Sequence, residues 1–352
     1  MKLVMTLLVR DEADVVDAQI AFHLHAGVDL VLATDNDSRD GTREILERYA
    51  RAGVLHLLDE PGDDMRQSQW VTRMARLAAT DFGADWVLHA DADEFWWPRG
   101  GTLKEVLAAV PARFGVVRGC WRHFLPRPDD GGFFAERMTV RLCTPAHPGD
   151  KETIFHAHQK VAHRAHPEVV IEAGNHNADA PGLEPLRAWH PIEVLHFSFR
   201  SVAQLAGKAE RGGWLRNPEY VPPAHQLRLR RAFEEGAIRE FYEAHAVDDD
   251  ALERGLATGR LALDTRLRDA LRALRGPDGG FALPGGAPRL SFPRPDYRED
   301  AAYAAEASVL VEIDGIVRAE RRVDALERRL ARLEAAGLRR AVARRLRRLA
   351  RR

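Results

Sequence analysis

Apolar runs and amphipathic stretches alternate over the first hundred residues. Leu3 to Val9 is almost continuously apolar, which predicts a strand buried on both faces. From Asp11 to Ala26, Val15, Val16, Ile20, Phe22 and Leu24 recur at helical spacing, and Gly27 supplies the stop. Leu30 to Ala33 predicts a second strand, residues 35–41 a polar turn, and Thr42 to Ala50 a helix. Val54 to Leu58 predicts a third strand, Gln67 to Thr80 a helix, and Trp86 to Ala90 a fourth strand. This alternation predicts an α/β fold, a mostly parallel sheet with helices on both faces. Such sheets take ligands at the carboxyl ends of their strands. The polar clusters Arg10-Asp11, Asp35-Asn36-Asp37 and Asp91-Ala92-Asp93 all fall at such ends.

Beyond residue 115 the pattern is less regular. Val116-Val117, Thr139 to Leu142, Val169 to Ile171 and Glu193 to Phe199 read as strands in a mixed extension of the sheet. Residues 201–274 read as helical, with a Pro-rich break at 218–223, and 276–297 as a Pro- and Gly-rich loop. The tail from 301 is helical, with a short heptad seam carried by Ile316, Val323 and Leu330 and by Leu326 and Leu333. After Gly337 it becomes an amphipathic basic helix. The expected layout is an α/β domain over 1–215, a helical extension over 216–275, a linker over 276–300 and an Arg-rich amphipathic helix over 301–352.

Composition narrows the class. Of 352 residues, 45% are hydrophobic, enough for a full core, and a formal net charge of -1 argues against a polyanion-binding body. Residues 337–352 hold eight arginines and no acid, so taking those eight charges away leaves -9 on the rest, an acidic body with a basic tail. Two cysteines support neither a disulfide framework nor a cysteine zinc site. No apolar run approaches the roughly 18 residues of a membrane span. Met1 to Val9 runs into Arg10-Asp11-Glu12 without a small-residue cleavage site, so a signal peptide is not expected. A cytoplasmic protein is expected, with any membrane contact peripheral at the inner face.

The strongest chemical signal is His89-Ala-Asp91-Ala-Asp93-Glu94-Phe95, an apolar strand ending in two carboxylates one residue apart. A hard divalent cation takes oxygen ligands and accepts phosphate oxygens in its shell. Held there, it offsets the charge of a departing nucleotide diphosphate. Taken alone, an Asp-x-Asp is more often a solvated acidic turn. With it stand Thr6-Leu-Leu-Val-Arg10-Asp11-Glu12 and Asp35-Asn-Asp-Ser-Arg-Asp40-Gly41-Thr42. Together these segments, over residues 4–42 and 66–97, resemble family 2-like glycosyltransferases of the GT-A fold. In that family the first motif usually reads Arg-Asn-Glu, and Asp11 replaces the Asn here. Phe134-Ala-Glu136-Arg-Met, Gln159-Lys-Val, Gly174-Asn-His176-Asn and Leu195-His196-Phe-Ser-Phe-Arg200-Ser resemble a subgroup from bacterial surface-polysaccharide biosynthesis.

The resemblance implies a Rossmann-type GT-A sheet and assigns roles by position. Arg10 and Glu12 would lie against the base and ribose, and Asp35 with Asn36 would hydrogen-bond them. Asp40 would shape the turn, as the start of the next helix also requires. Arg66 or Gln69 would touch the nucleotide, or else open a solvated helix. Asp91 would face the ribose or metal and Asp93 the metal and diphosphate. His196 would complete the shell of a Mn2+ or Mg2+ ion, the alternative being a satisfied core histidine; imidazole suits manganese. An inverting transfer needs a base for the acceptor hydroxyl, and the candidates are His176, Glu152, Asp179 and Glu136. Arg200 and Lys208 are candidate phosphate contacts. Trp96 and Trp97 form an acceptor wall or core packing, and His23 and His25 are read as structural.

The expected activity is transfer from an NDP-sugar, UDP favoured, to a glycan or lipid-linked acceptor with inversion. The rivals are an inactive GT-A-like binding module and a nucleotidyltransferase. The latter would want a Gly-rich phosphate loop, and residues 6–14 contain no glycine. The basic tail fits an interfacial helix on anionic membrane better than a partner helix or nucleic acid.

Overall fold

A computed structural model describes residues 1–62, 66–146, 153–211, 224–276, 279–286 and 290–312, and seven positions between 315 and 330. The amino-terminal half runs β1 (Leu3–Val9), α1 (Val16–Ala26), β2 (Leu30–Asp35), α2 (Thr42–Arg51), β3 (Leu55–Asp59), α3 (Gln67–Thr80) and β4 (Trp86–Ala90). Then come β5 (Glu94–Pro98), α4 (Leu103–Ala108), β6 (Val116–His123), α5 (Phe134–Arg137), β7 (Val140–Leu142), β8 (Gln159–Arg164), β9 (Val170–Ile171), β10 (Ala178–Asp179) and β11 (Ile192–His196). The chain continues through α6 (Val202–Arg211), α7 (Ala224–Glu234), α8 (Ile238–Glu243), α9 (Asp249–Ala257), β12 (Leu261–Leu263) and α10 (Arg266–Leu274).

One eight-stranded sheet has the order β3-β2-β1-β4-β8-β6-β11-β5. The first four strands are mutually parallel, in the 3-2-1-4 order of doubly wound nucleotide-binding sheets. β8 and β5 run against their neighbours, whereas β6 and β11 are parallel. The predicted mostly parallel sheet flanked by helices is therefore present.

Its continuous apolar strands follow from cover on both faces. Leu3, Met5, Leu7 and Val9 of β1 join one core with Ile20 and Phe22 of α1, Leu46 of α2 and Leu267 and Leu271 of α10. Val4, Leu32 and Val87 point the other way, onto Val71, Met74, Ala75 and Ala78 of α3. Helices α6, α7 and α8 share a smaller core around Leu205, Leu229 and Tyr242.

The structure shortens or adds to several predicted elements. The helix expected from Asp11 begins at Val16, because Asp11 sits at φ 54 and breaks the helical path. β5 and β8 carry no predicted strand. β8 reads Gln-Lys-Val-Ala-His-Arg, with its polar residues buried by pairing, so hydrophobic patterning passes over it. β12 interrupts the stretch read as helical and pairs with β7. Leu290 and Phe292, inside the stretch read as linker, pack on the main core.

A helix over 297–312 lies across the far end of the sheet. Tyr303 donates its hydroxyl to the Ile192 carbonyl at 2.7 Å, and Glu306 pairs with Arg122 at 2.6 Å. Ile316, Val323, Leu326 and Leu330 of the heptad seam are exposed. Leu333, the basic tail 337–352 and the expected boundary near 215 lie outside the described residues. Among the described residues no helix is long and apolar enough to cross a membrane.

Candidate functional site

The carboxyl ends of β1, β2 and β4 lie side by side, and their loops are tied together by short polar contacts. Asp11 and Asp37 both take left-handed backbone, at φ 54 and 56, a region Asn and Asp enter more easily than other side chains. That geometry accounts for Asn or Asp at position 11. The Asp11 carboxylate accepts the Arg39 amide at 2.8 Å and pairs with Arg211 of α6 at 2.7 Å. Asp35, buried, accepts the Ser38 amide at 3.2 Å and faces Arg43 at 3.5 Å. Asn36 donates to the Glu60 and Gly62 carbonyls and accepts from Arg10 at 3.3 Å. Asp40 accepts the Thr42 amide and hydroxyl at 3.0 and 2.6 Å and the Ala13 amide at 2.9 Å. Its oxygens thus tie the turn to the loop after β1, while Gly41 itself occupies the cap of α2.

The pairing of three strands sets His123, His196 and Glu94 in one row. His196 of β11 is registered with His123 of β6 on one side and Glu94 of β5 on the other. Asp93, immediately before β5, adds its carboxylate, and ligand atoms of Asp93, Glu94 and His196 lie within 4.8 Å of one another. All three are buried. Burial alone would raise the Asp93 carboxyl, yet His196, Lys208 and Arg200 hold it well below the usual carboxylate range.

The orientation of the His196 ring follows from its neighbours. The His156 carbonyl can only accept, so His123 Nε2 carries the proton in their 2.8 Å contact. His123 is kept neutral by burial and by His196, so its Nδ1 is an acceptor. Facing it at 3.3 Å, His196 Nδ1 is therefore the donor, which leaves His196 Nε2 as the ring atom turned to Asp93 Oδ2, 3.7 Å away. An imidazole whose Nδ1–H is anchored in this way presents Nε2 to a metal. A buried, ionised carboxylate beside such a nitrogen fits Mn2+ or Mg2+.

Asp91 is held differently. Its Oδ2 accepts Lys160 Nζ of β8 at 2.5 Å, and its Oδ1 accepts Asn175 Nδ2 at 3.1 Å and Gln67 Nε2 at 3.4 Å. Lys160 also reaches Glu94 Oε1 at 2.9 Å. The same oxygen accepts Trp121 Nε1–H at 2.8 Å, and Glu94 Oε2 accepts the Asp91 amide at 3.0 Å. Burial disfavours the Lys160 charge, but Asp91 and Glu94 outweigh it and raise its pKa above the usual lysine range. Burial pushes Glu94 up to about 7 against the pull of Lys160.

Arg200 closes the site from the β11–α6 connection. Fully buried, it grips Asp14 through Nε and Nη2 at 2.7 and 2.9 Å, donates to Glu12 and to the Phe197 carbonyl, and lies 3.7 Å from Asp93. Burial pushes Glu12 up to about 7 despite Arg200 and Lys208. Lys208 of α6 adds a cation felt by both Glu12 and Asp93.

Of the predicted base residues, His176 is the one brought to this cluster. Its Nδ1–H donates to the Gln159 carbonyl at 2.7 Å, and its ring lies against Trp121 and stacks on His158 at 3.6 Å between centroids. The ring rests over Gly174 (φ 80), where a Cβ would come within 2.3 Å of His176 Nε2, so both backbone and ring require glycine there. Asp179 is exposed in β10, and Glu136 is bound at the surface to Arg272. Glu152 lies outside the described residues. Gln69 is exposed, as is Arg66. Gln67, on another face of α3, is the residue of that turn that touches Asp91. Trp96 and Trp97 belong to the core, and His23 is structural: it donates to the Gln19 carbonyl and accepts the Trp96 amide. His25 likewise contacts the Ala282 carbonyl at 3.0 Å.

Roles for Lys160, Trp121 and His123 were not foreseen. Each reaches the site through strand pairing; for Lys160 the available signal was the Gln159-Lys-Val segment, which carried part of the family resemblance but no role for the lysine.

No protein-family model matches the chain, and no curated protein does. Among solved structures, it is similar to S. aureus TarS 1-349 in complex with UDP at 13% identity and TM-score 0.34, over 84% of this chain and 100% of that one. For TarS 1-349 in complex with UDP-GlcNAc the values are 12% and 0.33, over 68% and 73%. Glucosyl-3-phosphoglycerate synthase from Mycobacterium tuberculosis, with Mn2+, UDP and glucosyl-3-phosphoglycerate, gives 18% and 0.25, over 34% and 44%. Overlap at these TM-scores assigns no activity.

Proposed function

We propose that the chain is a metal-dependent glycosyltransferase. It would move a sugar from an NDP-sugar, UDP favoured, to a hydroxyl of a glycan or lipid-linked acceptor with inversion, in bacterial surface-polysaccharide synthesis. The observation that carries this reading is the meeting of Asp93, Glu94 and an oriented His196 at the carboxyl edge of a 3-2-1-4 sheet. Asp35, Asn36, Arg10 and Glu12 line the adjoining strand ends, where the base and ribose would lie. Asp93 and His196 would hold the divalent ion, which when bound supplies Lewis-acid stabilisation of the diphosphate oxygens.

The chain's own groups divide the rest of the work. Lys208 and Arg200 place positive charge beside Asp93, where phosphate would sit. The Gln159 carbonyl fixes the His176 proton on Nδ1, so Nε2 is the basic atom. The acceptor oxygen bonds to the anomeric carbon, its proton passes to His176 Nε2, and the carbon–oxygen bond to the diphosphate breaks with both electrons going to the leaving group. The Arg-rich tail would bring this domain to an anionic membrane surface that carries the acceptor.

Thermal melting against a nucleotide panel, with and without Mn2+, tests the reading. A ligand that binds only the folded state raises the melting temperature. Metal-dependent stabilisation by one NDP, UDP first, is expected. Absence of any shift at millimolar nucleotide refutes the transferase and favours the inactive binding module.

A further inference from the structure

Three carboxylates, Asp91, Asp93 and Glu94, sit within four residues at the end of β4, and one imidazole faces them. Such a set would ordinarily draw a hard cation in by all its acids. Here a strand from elsewhere in the chain intervenes. β8 is wedged between β4 and β6, and its register sets Lys160 opposite Gly119. From there Nζ reaches Asp91 Oδ2 at 2.5 Å and Glu94 Oε1 at 2.9 Å. Trp121 covers it, with the ammonium 5.4 Å from the ring centroid, and adds its own N–H to Glu94. The lysine side chain is 1% exposed, so it cannot swing out to water while these strands stay paired. Asn175 and Gln67 occupy the other oxygen of Asp91.

We propose that Lys160 is a positioning residue that keeps Asp91 and Glu94 out of the metal shell. The divalent cation is then held by Asp93 and His196, with its remaining positions open to phosphate oxygens. Asp91 becomes a fixed acceptor facing the nucleotide instead of a metal ligand. This inference rests on the site being a metal–nucleotide site as read above.

The experiment is Mn2+ titration of the full chain without nucleotide, following free Mn2+ by electron paramagnetic resonance, for wild type and Lys160→Met. The released acids should tighten Mn2+ binding about tenfold or more, since affinity rises with the charge count of the ligand set. A lysine that merely supported the fold would give the opposite sign, or none. Lys160→Met leaves Asp91 and the buried Glu94 without their cation, so the comparison is repeated between Glu94→Gln and the Glu94→Gln, Lys160→Met double variant. There the lysine leaves together with one of its acids, and the double variant should again bind Mn2+ more tightly. Unchanged or weaker Mn2+ binding in the folded variants, with wild type binding normally, overturns the role of Lys160 alone. A wild type that binds neither Mn2+ nor any NDP overturns the site reading itself.

Discussion

His123→Phe tests whether the orientation of His196 is built by its neighbour. The replacement keeps an aromatic ring against Trp121 and Phe155 but removes the acceptor at 3.3 Å that fixes His196 Nδ1–H. Without it, the ring of His196 retains its stack on Trp121 at 4.2 Å but loses the constraint on which nitrogen faces Asp93. Loss of an outer-shell partner of a metal-bound histidine costs about 10–100-fold in metal affinity. That corresponds to about 1.4–2.8 kcal/mol. A separate cost of about 0.5–1.5 kcal/mol in folding stability comes from the lost hydrogen bond to the part-buried His156 carbonyl. Isothermal titration with Mn2+ measures the first cost and urea unfolding the second. Unchanged Mn2+ affinity in a folded His123→Phe variant would refute the orienting role of His123, whatever the loss of stability.

Two further tests address the surrounding charges. Arg200→Leu leaves Glu12, Asp14 and Asp93 facing one another without their guanidinium, and stripping one partner from a buried ion pair costs about 3–5 kcal/mol; a loss below about 1 kcal/mol in urea unfolding would mean that water already screens this network. The second test is acidification. Burial lowers the His23 pKa to about 4, and its Nε2 must stay unprotonated to accept the Trp96 amide. Its folded pKa lies below the unfolded one, so its contribution is complete above pH ~6.5 and fades as the pH falls toward ~4, amounting to about 2–3 kcal/mol lost by pH ~4.5. Glu12 and Glu94, raised by burial to about 7, act in the opposite sense over the same interval, being most favourable below the usual glutamate pKa. The histidine contribution is therefore read as the difference between wild type and His23→Gln in urea midpoints at pH ~7 and ~4.5; parallel pH profiles of the two proteins would contradict it.

The sequence by itself determined the parallel half of the sheet and the place of its ligands. β1, β2 and β4 are buried on both faces, so they appear as apolar runs, and whatever follows each run is forced to the carboxyl edge. Asp11, Asp35, Asp91 and Asp93 were legible for that reason, and His196 for the motif that ends β11. Tertiary structure alone decided how those groups are partnered. Lys160 lies 69 residues from Asp91, and His123 lies 73 from His196. They meet because β8 and β6 slot between β4 and β11 in one register. A polar residue buried by such pairing leaves no hydrophobic period to detect. The contact of Gln67 with Asp91 depends likewise on the phase of α3 against the sheet. Local patterning fixes which edge of a sheet carries the chemistry, whereas partners distant in the chain are selected by strand register, a property of the assembled sheet.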